Sequence, residues 1–149
     1  MLNEKDYCDY DTCIALIEMG FVGTSRYYYD KKNHKLHITN YGITYTVRTA
    51  SASDYVLAIY LYEAQKWLRE EKRICVEVDC CAGGYVWELC KAYHKDWFSG
   101  GTTIYTHYCE DNAINPLLDD CGKYNTYEEA LLEGIKEAIY ILKEESNGN

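Results

Sequence analysis

The stretch Ile74-Cys75-Val76-Glu77-Val78-Asp79-Cys80 places its most apolar side chains at every second position. That alternation is typical of a β-strand with one buried face. A glycine-rich turn signal, Ala82-Gly83-Gly84, follows it, and Tyr85-Val86-Trp87-Glu88-Leu89-Cys90 then alternates in the same way. Two alternating runs separated by such a turn predict an antiparallel β-hairpin.

The turn also predicts which residues of this hairpin face each other. If Gly83-Gly84 is a two-residue loop, Val78 lies opposite Leu89, Cys80 opposite Trp87 and Asp79 opposite Glu88. Glu77, Asp79 and Glu88 then share one face of the sheet. Because like charges directly opposite each other are destabilising, either the loop is longer or the acidic face has a function.

The residues before the hairpin predict two helices and a group of strands. A first helix runs from Asp9 or Asp11 to Met19, with an aspartate cap at its start and Gly20 as its stop. The β-rich segments 27–29, 35–39 and 43–48 predict two or three antiparallel strands. An apolar stripe at helical spacing predicts a second helix over residues 53–71.

Two further elements follow the hairpin. Residues 102–108 have the composition of a strand. Thr126 and Glu129 have the spacing of a capping box at the start of a last helix, and Gly134 within it indicates close packing on the sheet. The order α, two or three strands, α, three strands, α predicts a single α+β domain over residues 1–149, with helices packed on an antiparallel sheet.

The charge balance excludes some partners. The 149 residues include 15 Lys+Arg and 24 Asp+Glu, which gives a net charge of −9. Because Lys and Arg bind phosphate backbones by releasing counterions, we expect no direct nucleic-acid binding. No apolar run reaches about 18 residues, so we expect no membrane contact. The charged start without an apolar core predicts a cytoplasmic protein.

The motifs for metal binding and catalysis are missing from the sequence. Its eight cysteines include no Cys-x-x-Cys pair of the kind typical of structural zinc sites. No nucleophile elbow, phosphate loop or His-Glu-x-x-His motif occurs either. We therefore expect reduced thiols, no cofactor, no metal and no enzymatic activity. Any zinc site would have to use Cys80, Cys81, His94, His107, Cys109 and Cys121.

Carboxylates and tyrosines are the best candidates for partner binding. Carboxylates can stand in for phosphates and steer a basic protein surface, although a plain solvated sheet face explains them as well. Seventeen tyrosines exceed what a core alone requires, and tyrosine is enriched at interfaces. The candidate partner-binding residues are Glu77, Asp79, Glu88, Glu110, Asp111, Asp119, Asp120, Tyr27, Tyr28 and Tyr29.

Four segments occur in the order in which they are found in a known class of small proteins. They are Tyr10-Asp11-Thr12…Glu18-Met19-Gly20-Phe21, Ala64-Gln65-Lys66-Trp67-Leu68-Arg69-Glu70, Tyr85-Val86-Trp87-Glu88-Leu89 and Tyr124-Asn125-Thr126-Tyr127-Glu128-Glu129-Ala130. In these segments the chain resembles uncharacterised small proteins of gut-bacterial, phage and prophage genomes. The resemblance implies a fold and a setting, and it implies no catalytic residue.

A second resemblance covers residues 73–144. The hairpin with Gly83-Gly84-Tyr85-Val86 and the helix beginning Thr126-Tyr127-Glu128-Glu129-Ala130 resemble HicB-type antitoxins, although the gap between them is longer here. Those are acidic, partly RNase-H-like domains that mask a small RNA-cleaving toxin. The α-β-β-β-α order over residues 53–143 also resembles double-stranded-RNA-binding domains, whose function the acidic charge opposes.

These features predict a non-enzymatic acidic binding protein of a phage or mobile element. It would be an accessory or anti-defence factor that binds and blocks a host protein, such as a nucleic-acid-handling or defence factor. A HicB-like antitoxin, a thiol- or zinc-dependent enzyme and a homo-oligomer remain open. So does a protein that sequesters a nucleotide signal, whose phosphate ligands would be Arg26, Arg48, Arg69 and Arg73.

Overall fold

A computed structural model describes residues 3–81, 83–91, 102–105 and 124–148, with the backbone alone at 81, 91 and 102–105. Within these ranges, helices and antiparallel strands form an α+β fold, as predicted. The strands form three separate sheets rather than one. The chain divides into two compact units, Met1–Ala64 and Gln65–Asn149. Whether these units form the predicted single domain depends on their arrangement relative to each other, so the single domain stays a prediction.

Unit 1 combines short strands with two helices. Its three-stranded sheet has the order β3-β2-β5, and β1 pairs separately with β4, all antiparallel. A short 3-10 helix, Glu4–Asp6, precedes these elements. The elements of unit 1 are α1 (Tyr10–Glu18), β1 (Thr24–Ser25), β2 (Tyr27–Asp30), β3 (Leu36–Ile38), β4 (Tyr45–Thr46), α2 (Val47–Ala52) and β5 (Tyr55–Leu57).

Helix α1 begins and ends as the sequence predicts. The Asp9 side chain accepts a hydrogen bond from the backbone N–H of Thr12, which satisfies one free donor of the first turn. Gly20 has a φ of +100°, and the backbone N–H of Phe21 donates to the Leu16 carbonyl at 2.9 Å. This is the left-handed helix stop that glycine makes at low cost. The chain then turns and buries Phe21.

The prediction of a strand over 43–48 is wrong at residues 47–48. Only Tyr45–Thr46 is a strand, and helix α2 begins at Val47. Thr46 caps this helix: its side chain accepts from the Thr49 N–H, and the Thr49 side chain accepts from the Thr46 N–H. This reciprocal capping satisfies donors at the start of the helix and outweighs the β propensity of Val47.

The helix predicted over 53–71 is also wrong in its first half. Asp54 has a φ of +63°, and Tyr55–Leu57 form β5, which pairs with β2. Helix α3 begins only at Leu61 and ends at Glu71. The helical spacing of Leu57 with later apolar residues indicates burial but does not show how the backbone is paired. Hydrogen bonding to β2 decided the outcome at Leu57.

Unit 2 contains the hairpin and the last helix. Strands β6 (Ile74–Cys81), β7 (Gly84–Lys91) and β8 (Thr102–Tyr105) form an antiparallel sheet in the order β6-β7-β8, and α4 spans Tyr127–Asn147. Together with α3, these elements have the predicted order α-β-β-β-α. The predicted strand residues 106–108 lie outside the described part of the chain.

The predicted hairpin register is wrong because the strands pair closer to the turn than a Gly83-Gly84 loop allows. Gly84 is already the first residue of β7 and pairs with Cys81. Val78 therefore lies opposite Trp87 rather than Leu89, and Cys80 lies opposite Tyr85. The same shift places Glu77, and not Asp79, directly opposite Glu88.

Helix α4 lies close against β6 and β7. A Cβ atom added at Gly134 would lie 2.6 Å from Cγ1 of Val76 and 3.1 Å from Cβ of Trp87. The predicted close packing at Gly134 is therefore confirmed. At the start of the helix, the Thr126 hydroxyl accepts from the Glu129 N–H, while the Glu129 carboxylate accepts from the Asn125 N–H. The second half of the predicted capping box thus reaches one residue further back.

Candidate functional site

The three predicted carboxylates of the hairpin share one face of the β6-β7 sheet. We call Glu77, Asp79 and Glu88 the acidic strip. Glu77 lies directly opposite Glu88, and Asp79 lies two residues further along β6. Glu77 and Asp79 are exposed, and Glu88 is half-buried. Side chains directly opposite in an antiparallel pair lie within about 5.5 Å at Cβ, so the two glutamates repel each other.

Two thiols lie beside the acidic strip on the same face. Cys75 and Cys90 are directly opposite each other, and the Cys90 Sγ donates to Oε1 of Glu88 at 3.8 Å. Burial, followed by the negative charge of Glu77, raises the pKa of the Cys75 thiol. Arg69 acts in the opposite direction. The raised pKa keeps this thiol protonated, and therefore a poor nucleophile, at neutral pH.

Within the described ranges, no cation forms an ion pair with the acidic strip. An ion pair of unit 2 joins Lys136 to Glu133 at 3.2 Å, within helix α4 and away from the strip. No Lys or Arg side chain of the described residues forms a salt bridge with Glu77, Asp79 or Glu88. The strip is therefore a local concentration of negative charge on unit 2. The other predicted acidic residues, Glu110, Asp111, Asp119 and Asp120, lie outside the described residues.

The three candidate tyrosines of β2 mostly contact other aromatic rings of unit 1. Tyr29 is 7% exposed, and its hydroxyl donates to the Cys8 carbonyl at 2.6 Å. The Tyr27 ring lies 5.0 Å from that of Tyr7, centroid to centroid. Tyr28 stacks on Tyr55 at 4.1 Å. Tyr27 and Tyr28 are half-buried, so they offer a partner only part of their surface, and Tyr29 offers almost none.

Burial raises the pKa of Tyr28 and Tyr29 on β2 and of their neighbour Tyr7. For Tyr7, burial is the largest cause and the hydrogen bond with Tyr60 the second. For Tyr29, burial is again the largest cause, followed by the electrostatic interaction with Cys13. A raised tyrosine pKa means that the folded chain keeps a proton that the unfolded chain releases above its ordinary value of about 10. The neutral hydroxyls thus belong to the folded state.

The difference in tyrosine pKa between the folded and the unfolded chain predicts that stability falls at alkaline pH. Below pH 10 both states hold these tyrosine protons, so the tyrosines do not change stability there. Above pH 10 the unfolded state binds fewer protons and is favoured relative to the folded state. We expect the free energy of unfolding to fall by up to about 1.4 kcal/mol per pH unit for each buried tyrosine. Urea denaturation between neutral pH and pH 11 or so, under reducing conditions, measures this slope. A flat profile would contradict the burial of these hydroxyls.

Unit 1 also contains a cleft that the sequence analysis did not predict. Its volume is about 1170 Å³, and it lies between α1, the turn after α1, α2 and β5. Most of its wall is apolar, and the charged residues that line it are Glu18, Lys31 and Arg48. The signal in the sequence was the crowding of apolar residues on α1, where Ile14 and Ile17 add a second apolar side to that of Cys13 and Leu16. We call this site the unit 1 cleft.

The arginines proposed for a nucleotide signal are divided between the two units. Arg48 lines the unit 1 cleft, whereas the exposed Arg26 does not. Arg69 and Arg73 belong to unit 2. Among the described residues, no group of three or more His, Cys, Asp or Glu side chains is placed to hold a metal ion. Of the possible zinc ligands, Cys80 is exposed on β6, Cys81 is described by its backbone alone, and His94, His107, Cys109 and Cys121 lie outside the described ranges.

Comparison with known proteins gave no match: no family model, curated protein or solved structure resembles this chain closely enough to be reported. Across the described ranges, no helix has the length and apolar character needed to cross a membrane.

Proposed function

We propose that this protein is a non-catalytic binding protein that uses the acidic strip to hold and block a basic surface of another protein. The observation that carries the proposal is the pairing of Glu77 with Glu88 directly across the hairpin, with Asp79 exposed on the same face. A partner that brings Lys or Arg side chains to this face would relieve the repulsion within the strip.

The electrostatics of the whole chain support the same mode of action. The net charge of −9 attracts basic surfaces over long distances and increases the rate of encounter with them. The acidic strip then gives that attraction a defined location, because its three carboxylates lie on one face of the β6-β7 hairpin. Such a surface mimics the phosphates that a nucleic-acid-handling protein binds.

The biological setting follows from the resemblance to small phage and prophage proteins. In that setting the partner is a host protein, a nucleic-acid-handling or defence factor, and the protein acts by occupying it. The α-β-β-β-α order of α3, β6, β7, β8 and α4 supports a particular version of this role, that of a HicB-like antitoxin, in which the partner is a small RNA-cleaving toxin.

Charge reversal of the strip tests the proposal. In the triple variant Glu77→Lys, Asp79→Lys and Glu88→Lys, capture of basic host proteins from lysate should fall at least about tenfold, because attraction is replaced by repulsion. The captured proteins are identified by mass spectrometry, and the affinity for the most abundant one is then measured by titration calorimetry at two salt concentrations. Capture by the natural chain should weaken as salt rises.

A matched control separates the strip from the overall charge. The variant Glu70→Lys, Glu71→Lys and Glu144→Lys makes the same change in net charge at residues that are exposed and lie outside the strip. It should retain most of the capture. Equal loss in both triple variants would show that net charge alone is responsible, and unchanged capture in the strip variant would refute the proposal.

A further inference from the structure

We propose that the unit 1 cleft binds an amphipathic organic anion, a molecule with an apolar body and a single acidic head group. The cleft lies entirely within unit 1, so this inference is independent of the acidic strip and of the proposed function. It rests on three features of the cleft: its apolar wall, the charges at its edge and its size.

The apolar wall of the cleft exposes apolar side chains at helix positions that are usually polar on a protein surface. Ile14 and Ile17 are three residues apart on α1 and line the cleft, where both remain half-exposed. Helix α1 already buries Cys13 and Leu16, so its second apolar side is not needed for that packing. At the rim, Val22 is 77% exposed. An apolar ligand would remove these side chains from water, which is favourable in proportion to the area covered.

The charges at the cleft oppose the charge of the chain as a whole. Lys31 and Arg48 line the cleft and are exposed, and the one acidic residue among its lining is Glu18. The local balance is therefore positive in a protein whose net charge is −9. An organic anion is repelled by most of this molecule and attracted here, where Arg48 can donate two parallel hydrogen bonds to a carboxylate or phosphate.

The size and donor set of the cleft define the class of ligand. The volume of about 1170 Å³ is slightly above the range of about 300–1,000 Å³ usual for small-molecule sites, so an extended chain or a fused ring system fits. Two cations partly offset by Glu18 match one acidic group. The di- or triphosphate of a nucleotide would need more donors than this cleft offers, which favours a fatty-acid-like molecule over a nucleotide.

Binding of defined amphiphiles to the full-length protein tests the proposal. Titration calorimetry would compare dodecanoate, dodecyl phosphate, dodecylammonium and a nucleoside monophosphate, each below its aggregation concentration at neutral pH. We expect dodecanoate to bind at least about tenfold more tightly than dodecylammonium, which presents the same chain with the opposite charge. Dodecyl phosphate shows whether a phosphate head serves as well as a carboxylate.

Paired variants locate the binding. The double variant Lys31→Glu and Arg48→Glu should weaken dodecanoate binding about tenfold or more. The control double variant Lys32→Glu and Arg26→Glu, which makes the same charge change at exposed residues outside the cleft, should bind as the natural chain does. Ile17→Asn should also weaken binding without changing the charge.

Three results would overturn the inference. They are equal affinity for dodecanoate and dodecylammonium, tighter binding of the nucleotide than of dodecanoate, and equal binding by the two double variants. Thermal unfolding of each variant in the absence of ligand shows whether unit 1 is intact. If Lys31→Glu with Arg48→Glu lowers stability, the single variants at Lys31 and Arg48 provide the same comparison with Lys32→Glu and Arg26→Glu.

Discussion

Replacing Gly134 with valine should lower the free energy of unfolding by about 3 kcal/mol, the upper end of the usual cost of overpacking a core. A Cβ atom at this position would lie 2.6 Å from Cγ1 of Val76 and 3.1 Å from Cβ of Trp87. Both neighbours belong to the sheet and are buried, so helix α4 would have to move away from it. Urea denaturation followed by tryptophan fluorescence measures the loss.

A second substitution shows whether the cost comes from this contact. Val76→Ala removes the methyl group that the new side chain meets, so the double variant should be less destabilised than the sum of the two single variants. Helix propensity acts in the opposite direction in Gly134→Ala, where it favours alanine by about 1 kcal/mol. If Gly134→Ala stabilises the protein by that amount, the helix does not lie as close to the sheet as described.

Tyr29→Phe should lower the free energy of unfolding by about 2 kcal/mol, because it removes the donor of a buried hydrogen bond. The Tyr29 hydroxyl donates to the Cys8 carbonyl at 2.6 Å, and the other donor to that carbonyl is the Cys13 thiol at 3.5 Å. A thiol is a weak donor and does not replace the phenol. The phenylalanine ring keeps the shape of the site, so the loss reports the hydrogen bond.

The matched control for this substitution is Tyr41→Phe. Tyr41 is 98% exposed, so its hydroxyl already bonds to water and its loss should change stability by less than about 0.5 kcal/mol. Tyr29→Phe should in addition reduce the fall in stability above pH 10, since one buried phenol no longer titrates. A Tyr29→Phe variant as stable as Tyr41→Phe would show that the bond to Cys8 makes no net contribution.

Helix α1 shows how far sequence reasoning reaches when the signals are local. Its cap at Asp9 and its stop at Gly20 depend on residues within a few positions of each helix end. The stop was predicted correctly, and Asp9 was one of the two starts that the sequence predicted. The strands of the hairpin and the packing at Gly134 were predictable for a related reason. Alternation along a strand indicates which face of the strand is buried. A glycine within the apolar face of a helix indicates where that helix packs closely.

Residues 43–60 show where this reasoning fails. Tyr55–Leu57 have side chains that suit either a helix face or a strand, and the partner strand β2 lies more than twenty positions earlier in the chain. Apolar spacing predicts burial equally well for both structures. Pairing with β2 selected the strand, and that pairing is a contact between distant segments.

The candidate sites divide in the same way. The common face of Glu77, Asp79 and Glu88 follows from strand alternation, and it is the same in the predicted and the observed register. The residue opposite Glu88 is different: it is Glu77, whereas the sequence predicted Asp79. The sequence analysis did not predict the unit 1 cleft because its walls come from α1, α2 and β5. Of these, α2 lies where a strand was predicted in part, and β5 lies where a helix was predicted. A cavity exists only between elements, so no single segment of sequence records it.

The amino-acid sequence by itself determined the α+β class, the ends of α1, the hairpin strands, the acidic face and the buried side of α4. Each of these depends on propensity, capping or periodicity, which act between residues close in the chain. The tertiary structure alone decided the pairing of β5 with β2, the register of β6 with β7, the burial of the Tyr29 hydroxyl and the cleft beside Arg48. These depend on which distant segments meet, because hydrogen bonding and packing between them outweigh the local preferences of either.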